Sequence, residues 1–427
     1  MDLTVRQSGN LSGQVAVPPN KSHSFRALIM AGLADGKSHI HHPATSSDWL
    51  RANETLEMFG AAVTPEAGDS WVIQGAAGEL KTPEDVIDCG NSGIIFRFFG
   101  ALAGVCRGYS VLTGDDSVRH IRPVGPLLEA MTQLGAFAIS TKGDGHAPIV
   151  VRGPLRGGQA TLDGADSQPV SGLLIACALA DAPTELNVVN AGEKPWVAMT
   201  LDWLNRCGVE VSNDHFTRYR IRGRQRWKGF QTTIPLDWSA AMYPLVSALI
   251  TEGSEIAITG MDPNDSQGDR KVLEVLKAMG GNIEISGQTV IARSSKLTGM
   301  EIDCNDFIDQ FMLLAAVGCY AEGQTVLTNA EICRHKECDR IAEMHRALAA
   351  MGAQVEERRD GLVISKSRLH SAVLDSKADH RMVMTLATAA LGAMGETVIR
   401  DIACIRKTFP HFVSEMENAG AVMFADQ

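Results

Sequence analysis

The feature that most constrains this chain is a repeat. An Ala/Leu/Gly-rich helix, a breaker and a strand recur in SFRALIMAGLADG, FRFFGALAGVCRGYSVLTG, VSGLLIACALADAPTELNVV, MYPLVSALITEGSEIAITG, FMLLAAVGCYAEGQTVLTN and VMTLATAALGAMGETVIRD. After each copy comes an amphipathic helix that ends in glycine and turns into a strand, the glycines being Gly60, Gly135, Gly208, Gly280, Gly352 and Gly420. Any one copy reads as an ordinary buried helix. All of them in phase, at a period of roughly 70 residues, read as six copies of one supersecondary unit in a mixed α/β fold.

The polar segments before the apolar helices lie at 20–26, 89–97, 163–168, 236–241, 306–310 and 377–381. A helix start carries unpaired N–H groups and a partial positive charge, which suits it to anions. Starts rich in Lys, Arg, His, Ser, Asn, Gln and Asp therefore suggest one convergent polar cleft for anionic ligands. Lys21 and Arg26, five apart across the first start, can meet two acidic groups of a ligand or form a solvated basic cap.

Composition narrows the function. At 427 residues, 45% hydrophobic and 21% charged, the chain is long enough for two domains that each bury a core. A net charge of -11 and 5% aromatic residues argue against general nucleic-acid binding. The nine cysteines are odd in number and scattered, without a CxxC pair, as expected of reduced thiols rather than a disulfide framework or zinc site. The start MDLTVRQSG lacks a signal-peptide pattern, and the apolar run near 94–105 is broken by Arg97 and too short to span a bilayer. A cytoplasmic protein without membrane contact, acting as a monomer, is expected.

Several local patterns carry chemistry. In HIHH, His39 and His41 alternate on one strand face with no carboxylate partner expected nearby, so no metal is expected. GNSG places Asn91, Ser92 and Gly93 where backbone can approach a phosphate or carboxylate. Arg122 precedes a proline suited to the first turn of a helix, and Ser167 and Gln168 stand at another start. Between about 211 and 234 a basic stretch reads as a solvated surface hairpin at a domain boundary. The expected domains are 18–233 and 1–17 plus 234–427, with the chain crossing twice between them. Further on, Asp306 and Asp309, three apart on one helical edge, suit orienting or deprotonating a hydroxyl. Lys336, Glu337 and Arg340 form either a proton-transfer cluster or a surface salt bridge, and His380, Arg381 and Lys407 add further cationic groups.

In order and spacing, NKSHSFR, GNSG...R, RP, DSQ, DFIDQ, KECDR, DHRM and KTFP resemble the enolpyruvyl transferases, most closely the 5-enolpyruvylshikimate-3-phosphate (EPSP) synthases, over nearly the whole chain. The resemblance implies two domains, each of three βαβαββ units in an inside-out α/β barrel, with the substrates held between them and no cofactor. It implies that phosphoenolpyruvate (PEP) is held at its phosphate by Lys21, Arg122, Gln168 and Lys407, beside Asn91 and Gly93, and at its carboxylate by Arg340 and Arg381. The acceptor, shikimate-3-phosphate, would meet Ser22 and Arg26 at its carboxylate, Lys21 and Asp309 at its reacting hydroxyl, and Asp166, Ser167, Gln168, Glu193, Trp196 and Lys336 elsewhere. Glu337 would give a proton to the PEP methylene carbon, with Lys21, Asp309 and His380 completing the catalytic set.

The departures matter as much. Asp166 stands where the family has a serine, Glu193 to Trp196 replace an SKPY pattern, and Ile332 stands where an asparagine meets the acceptor's hydroxyls. Two carboxylates beside a phosphate dianion oppose its binding. The chain therefore reads either as an EPSP synthase that holds the phosphate with Ser167, Lys336 and Lys194, or as a relative acting on an unphosphorylated, carboxylated ring. Ile94 and Phe98 replace the usual Thr and Pro, which predicts weakened glyphosate binding at the PEP site. A UDP-N-acetylglucosamine enolpyruvyl transferase would carry a cysteine in the loop that here reads GDDSVRHIRP; a non-catalytic homologue would bind PEP without turnover.

Overall fold

A computed structural model describes residues 1–426, which divide into two compact units. The N-terminal unit is Pro19–Ile234; the C-terminal unit combines residues 1–18 with 235–426, each junction one residue beyond the expected position. Each has its own apolar core.

Every unit contains three sheets of four strands with one topology. In Ile87–Asp88, Ser110–Thr113, Phe137–Ser140 and Ile149–Arg152, the first two strands are parallel and the fourth lies antiparallel between the second and third. The buried helix Gly93–Ala103 makes the parallel crossover, and Gly125–Gln133 leads into the closing hairpin. This is the βαβαββ repeat, and it occurs six times. Three copies are completed out of order. Gln231–Thr233 supplies the parallel edge strand beside Lys37–His41, Ser12–Gln14 does so beside Glu255–Thr259, and Leu3–Arg6 inserts between Glu396–Arg400 and Met423–Ala425.

Local chemistry explains the elements. The marker glycines all lie at φ between 72° and 101°, the left-handed turn that ends a helix and strains any side chain. Apolar helices such as Ser167–Leu179 are buried on nearly every face, because their residues leave no polar stripe for water. Gly172 brings that helix against Gly93–Ala103: a Cβ there would lie 3.0 Å from the Arg97 carbonyl and 3.2 Å from Ala101. The close approach sets the two helix starts side by side.

The basic stretch does form a hairpin, Val211–Asp214 with Arg218–Ile221, but it is only partly solvated. Tyr219, Gln225 and Trp227 are buried, and Trp227 Nε1 donates to the Met30 carbonyl at 2.8 Å, anchoring the segment to the core. No helix among the described residues is long and apolar enough to cross a membrane.

Candidate functional site

In the N-terminal unit the polar groups gather where three apolar helices begin. Lys21 opens Lys21–Leu33, whose Asn20 cap accepts from the His23 N–H; its Nζ lies 2.6 Å from Asp48 Oδ2. Arg26, one turn on, is buried. It donates to the half-buried Ser22 at its carbonyl (3.1 Å), to the Trp196 carbonyl (3.0 Å) and to Thr200 Oγ1 (2.8 Å), and its guanidinium lies 5.3 Å from the Phe98 ring centre. These acceptors are neutral oxygens, and burial lowers the Arg26 pKa to about 9.

Gly93–Ala103 begins differently. Its cap residue, Ser92, makes no capping bond, and the hydroxyl, on a residue 1% exposed, has no hydrogen-bond partner among the described residues. Arg97, Arg122 and Gln168 converge there: a Cβ on Gly93 would lie 2.7 Å from Arg97 Nη1, 3.0 Å from Arg122 Nη1 and 3.1 Å from Gln168 Oε1. Asn91 is oriented by donating to Asp115 Oδ2 (2.6 Å) and Ser117 Oγ (3.1 Å). Burial pushes Asp115 up, but bonds from Asn91, Ser117 and Val118 and the charge of Arg122 hold it below its ordinary value. Two guanidinium groups, an amide and an uncapped helix start make an anion site.

The third start, Ser167–Leu179, is closed by its own chain. Asp166 accepts from the Gln168 N–H (2.9 Å) and pairs with Arg97 Nη2 (2.9 Å). Glu193, 1% exposed, accepts from both the Ser167 N–H (2.9 Å) and its hydroxyl (2.8 Å).

In the C-terminal unit the buried centre is Arg340, 1% exposed. It faces three carboxylates: Asp379 (2.8 Å), Asp309 (2.9 Å) and Glu337 (2.9 Å). Asp309 also pairs with Arg381 (2.9 Å), and Glu337 lies 3.6 Å from Lys407. Burial favours the neutral form of Asp309, yet Arg381, Arg340 and Lys336 hold its pKa below the usual carboxylate range. It is thus an ionised acceptor, well placed to orient an O–H. Behind it, Asp269 bonds to Ser239 Oγ and to Gln310 Nε2 (2.9 Å); burial and the Asp309 charge raise its pKa to about 6. His380 opens His380–Ala390 with Nδ1 3.8 Å from Asp379 Oδ1.

The expected residues thus fall into two groups. Lys21, Ser22, Arg26, Asn91, Gly93, Arg122, Asp166, Ser167, Gln168, Glu193 and Trp196 belong to the N-terminal unit; Asp309, Lys336, Glu337, Arg340, His380, Arg381 and Lys407 belong to the other.

Asp306 and Asp309 do not share a helical edge. Phe307 breaks the helix (φ -143°, ψ 47°), so Asp306 turns out to Lys271 (2.6 Å) while Asp309 turns in. The Glu337–Arg340 pair keeps its i, i+3 spacing but is buried in a network rather than solvated. Carboxylates do approach the HIHH strand: Glu66, at the end of Ala62–Glu66 two strands over in the same sheet, lies 3.5 Å from His39, and Asp69, just before the neighbouring Ser70–Gln74, lies 3.6 Å from His42. No group of three or more His, Cys, Asp or Glu suited to a metal ion occurs among the described residues.

Sequence reasoning gave no role to Asp48, Arg97, Asp269 or Asp379. An arginine interrupting an apolar helix was a legible signal of a paired buried charge. Asp379, before His380, was legible as a helix cap; nothing local marked Asp269.

The family model described as EPSP synthase (3-phosphoshikimate 1-carboxyvinyltransferase) matches residues 5–416. A protein of Acetivibrio thermocellus named 3-phosphoshikimate 1-carboxyvinyltransferase is 43% identical over 421 residues, 99% of each chain. One of the same name from Methanococcus maripaludis is 37% identical, covering 98% of this chain and 99% of its own. The solved EPSP synthase of Acinetobacter baumannii is similar at a TM-score of 0.81 and 27% identity, over 100% of both chains. Six βαβαββ repeats, an uncapped helix start ringed by cations and a buried carboxylate–guanidinium network, taken with these full-length matches, place the chain in the EPSP synthase family.

Proposed function

We propose that this protein is a carboxyvinyltransferase that moves the enolpyruvyl group of PEP to a ring hydroxyl of a cyclic carboxylic acid and releases phosphate. The acceptor in its relatives' names is 3-phosphoshikimate, and transfer to the 5-hydroxyl of that compound is the reaction assigned. The observation that carries the reading is the convergence of Arg97, Arg122 and Gln168 on an uncapped helix start, a site suited to the phosphate of PEP.

The roles follow from the chemistry. Lys21, Arg122, Gln168 and Lys407, beside Asn91 and Gly93, receive the PEP phosphate, and Arg340 and Arg381 its carboxylate. Arg26, held by neutral oxygens, retains its charge for the acceptor carboxylate, with Ser22 beside it. The acceptor hydroxyl is oriented by Asp309 and Lys21. Its oxygen gives its proton to Asp309 and bonds to C2 of PEP as Glu337 delivers a proton to C3, giving a tetrahedral intermediate; cleavage of the C2–O bond to phosphate, with a C3 proton returning to Glu337, restores the enol ether. His380 is assigned to the same proton-transfer set.

Binding also prepares the base. A ligand carboxylate that takes over Arg340 and Arg381 withdraws the cations that hold Asp309 down, so its proton affinity rises when the donor is in place. Side chains supply every proton and counter-charge, so the reading requires no metal or organic cofactor. A cytoplasmic monomer is the accompanying assignment; the nine cysteines, all thiols, support the reducing compartment.

The test is phosphate release from PEP by purified protein, with shikimate-3-phosphate and with its dephosphorylated counterpart. Release dependent on an acceptor is expected; none with either compound would refute the reading. One observation favours a second reading of the acceptor alone, namely the carboxylate already seated at Ser167.

A further inference from the structure

Asp269 takes no part in the roles assigned above, yet it is wholly buried in the C-terminal unit, where a carboxyl group is costly to keep. It stands in the short turn Gly268–Lys271, and its Oδ2 gathers two donors from other elements. The Ser239 hydroxyl donates from the start of Trp238–Ile250, and Gln310 Nε2 donates at 2.9 Å. Gln310 Nε2 also donates to the Ser239 carbonyl at 3.3 Å, which closes a buried ring of Asp269, Ser239 and Gln310. Gln267 braces the ring from beside it, accepting from the Trp238 N–H (2.8 Å) and donating to the Leu236 carbonyl (2.9 Å).

Gln310 directly follows Asp309, the carboxylate assigned to the acceptor hydroxyl. The segment that carries both, Asn305–Gln310, has little of its own to hold it: no side chain caps its start, and Phe307 leaves the helical conformation in its middle. The Asp309 side chain is held by Arg340 and Arg381, at 2.9 Å each. In the transfer reading those two cations turn to the carboxylate of the donor. What still fixes the direction of Asp309 is then its backbone, tied down through the side chain of the next residue.

We propose that Asp269 is a positioning residue for the transfer: by anchoring Gln310 it keeps Asp309 aimed at the acceptor hydroxyl once the donor has taken Arg340 and Arg381. The proposal rests on the carboxyvinyl-transfer reading and adds to it a residue that acts only through its neighbour. The anchor consists of accepted hydrogen bonds, so it depends on an oxygen in the place of Oδ2 rather than on a charge. Oδ1 has no hydrogen-bond partner among the described residues, and an amide nitrogen in its place displaces no bond.

The full-length protein and its variants are assayed for phosphate release with PEP and shikimate-3-phosphate. Asp269→Ala is expected to lower kcat at least about tenfold while the dissociation constant of PEP, from titration calorimetry, changes by less than about threefold. Asp269→Asn is expected to keep kcat within about threefold of the parent. Gln310→Met cuts the same link from its other end and carries the test alone if Asp269→Ala does not fold. Its kcat should fall as far, and the two substitutions together should cost no more than either one, because they break one connection. A kcat within about threefold of the parent in Asp269→Ala or Gln310→Met, or a loss in Asp269→Asn as large as in Asp269→Ala, would overturn the proposal. Hydrogen exchange of the 305–310 amides reads the anchor without a ligand, and it should quicken at least about tenfold in Asp269→Ala and Gln310→Met but not in Asp269→Asn. Absence of phosphate release by the parent would refute the transfer reading instead, and unchanged exchange in both anchor variants would then overturn the anchor on its own.

Discussion

Replacing Arg340 by methionine isolates the energetics of the C-terminal unit's buried centre. The guanidinium is 1% exposed and lies within 2.9 Å of three carboxylates, one of which, Asp379, is wholly buried. Methionine fills much of the same volume, so the loss is mainly of charge. Removing one partner from a buried ion network leaves the others without compensation and costs about 3–5 kcal/mol. For a unit of this size that corresponds to a fall in Tm of roughly 6–20 °C. The pH dependence separates this cause from simple loss of packing. In the parent, Asp309 is held below its ordinary value, so its contribution is fully present above the unfolded-state pKa and is lost as the pH falls through the folded one. In the variant, burial raises the stranded carboxylates, and they take up protons as the medium becomes acidic. Calorimetric scans from about pH 8 to about pH 5 are therefore expected to show the difference between parent and variant shrinking. Arg293, half-buried between Glu255 and Glu284, is the control, and its replacement by methionine should leave the transition unmoved. A loss for Arg340→Met below about 1 kcal/mol, or one that widens at low pH, would refute the account of a charge-compensated core.

Other expectations follow from the same geometry. The Asp269 carboxyl, raised to about 6, contributes stability that is present below its unfolded-state pKa and lost as the pH rises through the folded one. Asp269→Asn should then be at least as stable as the parent near pH 8 and lose that advantage near pH 4, and a parent uniformly more stable across urea titrations at both pH values would contradict the shift. Trp203→Phe removes the 2.9 Å bond from Nε1 to His23 Nδ1 and should cost about 1–3 kcal/mol in denaturant midpoint measurements; an unchanged midpoint would show the bond to be dispensable. Among the described residues only Cys207 and Cys404 are partly exposed cysteines, and burial pushes both thiols up to about 12. An aromatic disulfide reagent should label no more than these two in the native protein, and more than two fast-reacting thiols would show that the cores open readily. Glyphosate inhibition measured against PEP is expected to be weak, since Ile94 and Phe98 lie in the first turns of the helix that starts at Gly93; an inhibition constant that Ile94→Thr leaves unchanged would count against this.

The site was legible in parts, and the parts differ in kind. Lys21, Arg122, Gln168, Arg340 and Arg381 could be singled out because each stands at or near a helix start in a recurring frame. Their partners could not be assigned that way. Asp309 and Asp379 lie 31 and 39 residues from Arg340 in the chain, and Glu193 lies 26 from Ser167. Glu193 was visible as an unfavourable neighbour for a phosphate; that it caps the helix itself was not. The Asp306 and Asp309 pair failed for a related reason, since a single non-helical residue, Phe307, rotates one carboxylate out and the other in.

The six repeats, the glycines that end their second helices and the apolar helices that fill the cores follow from the order of residues along the chain. Those depend on interactions within a few residues: a left-handed turn, a capping side chain, a period of apolar positions. Which carboxylate meets which cation, which helix start is closed by its own chain and which stays open follow instead from the folded arrangement. Ion pairs and long-range caps are set by distance in space, and the fold alone brings residues from separate repeats into reach.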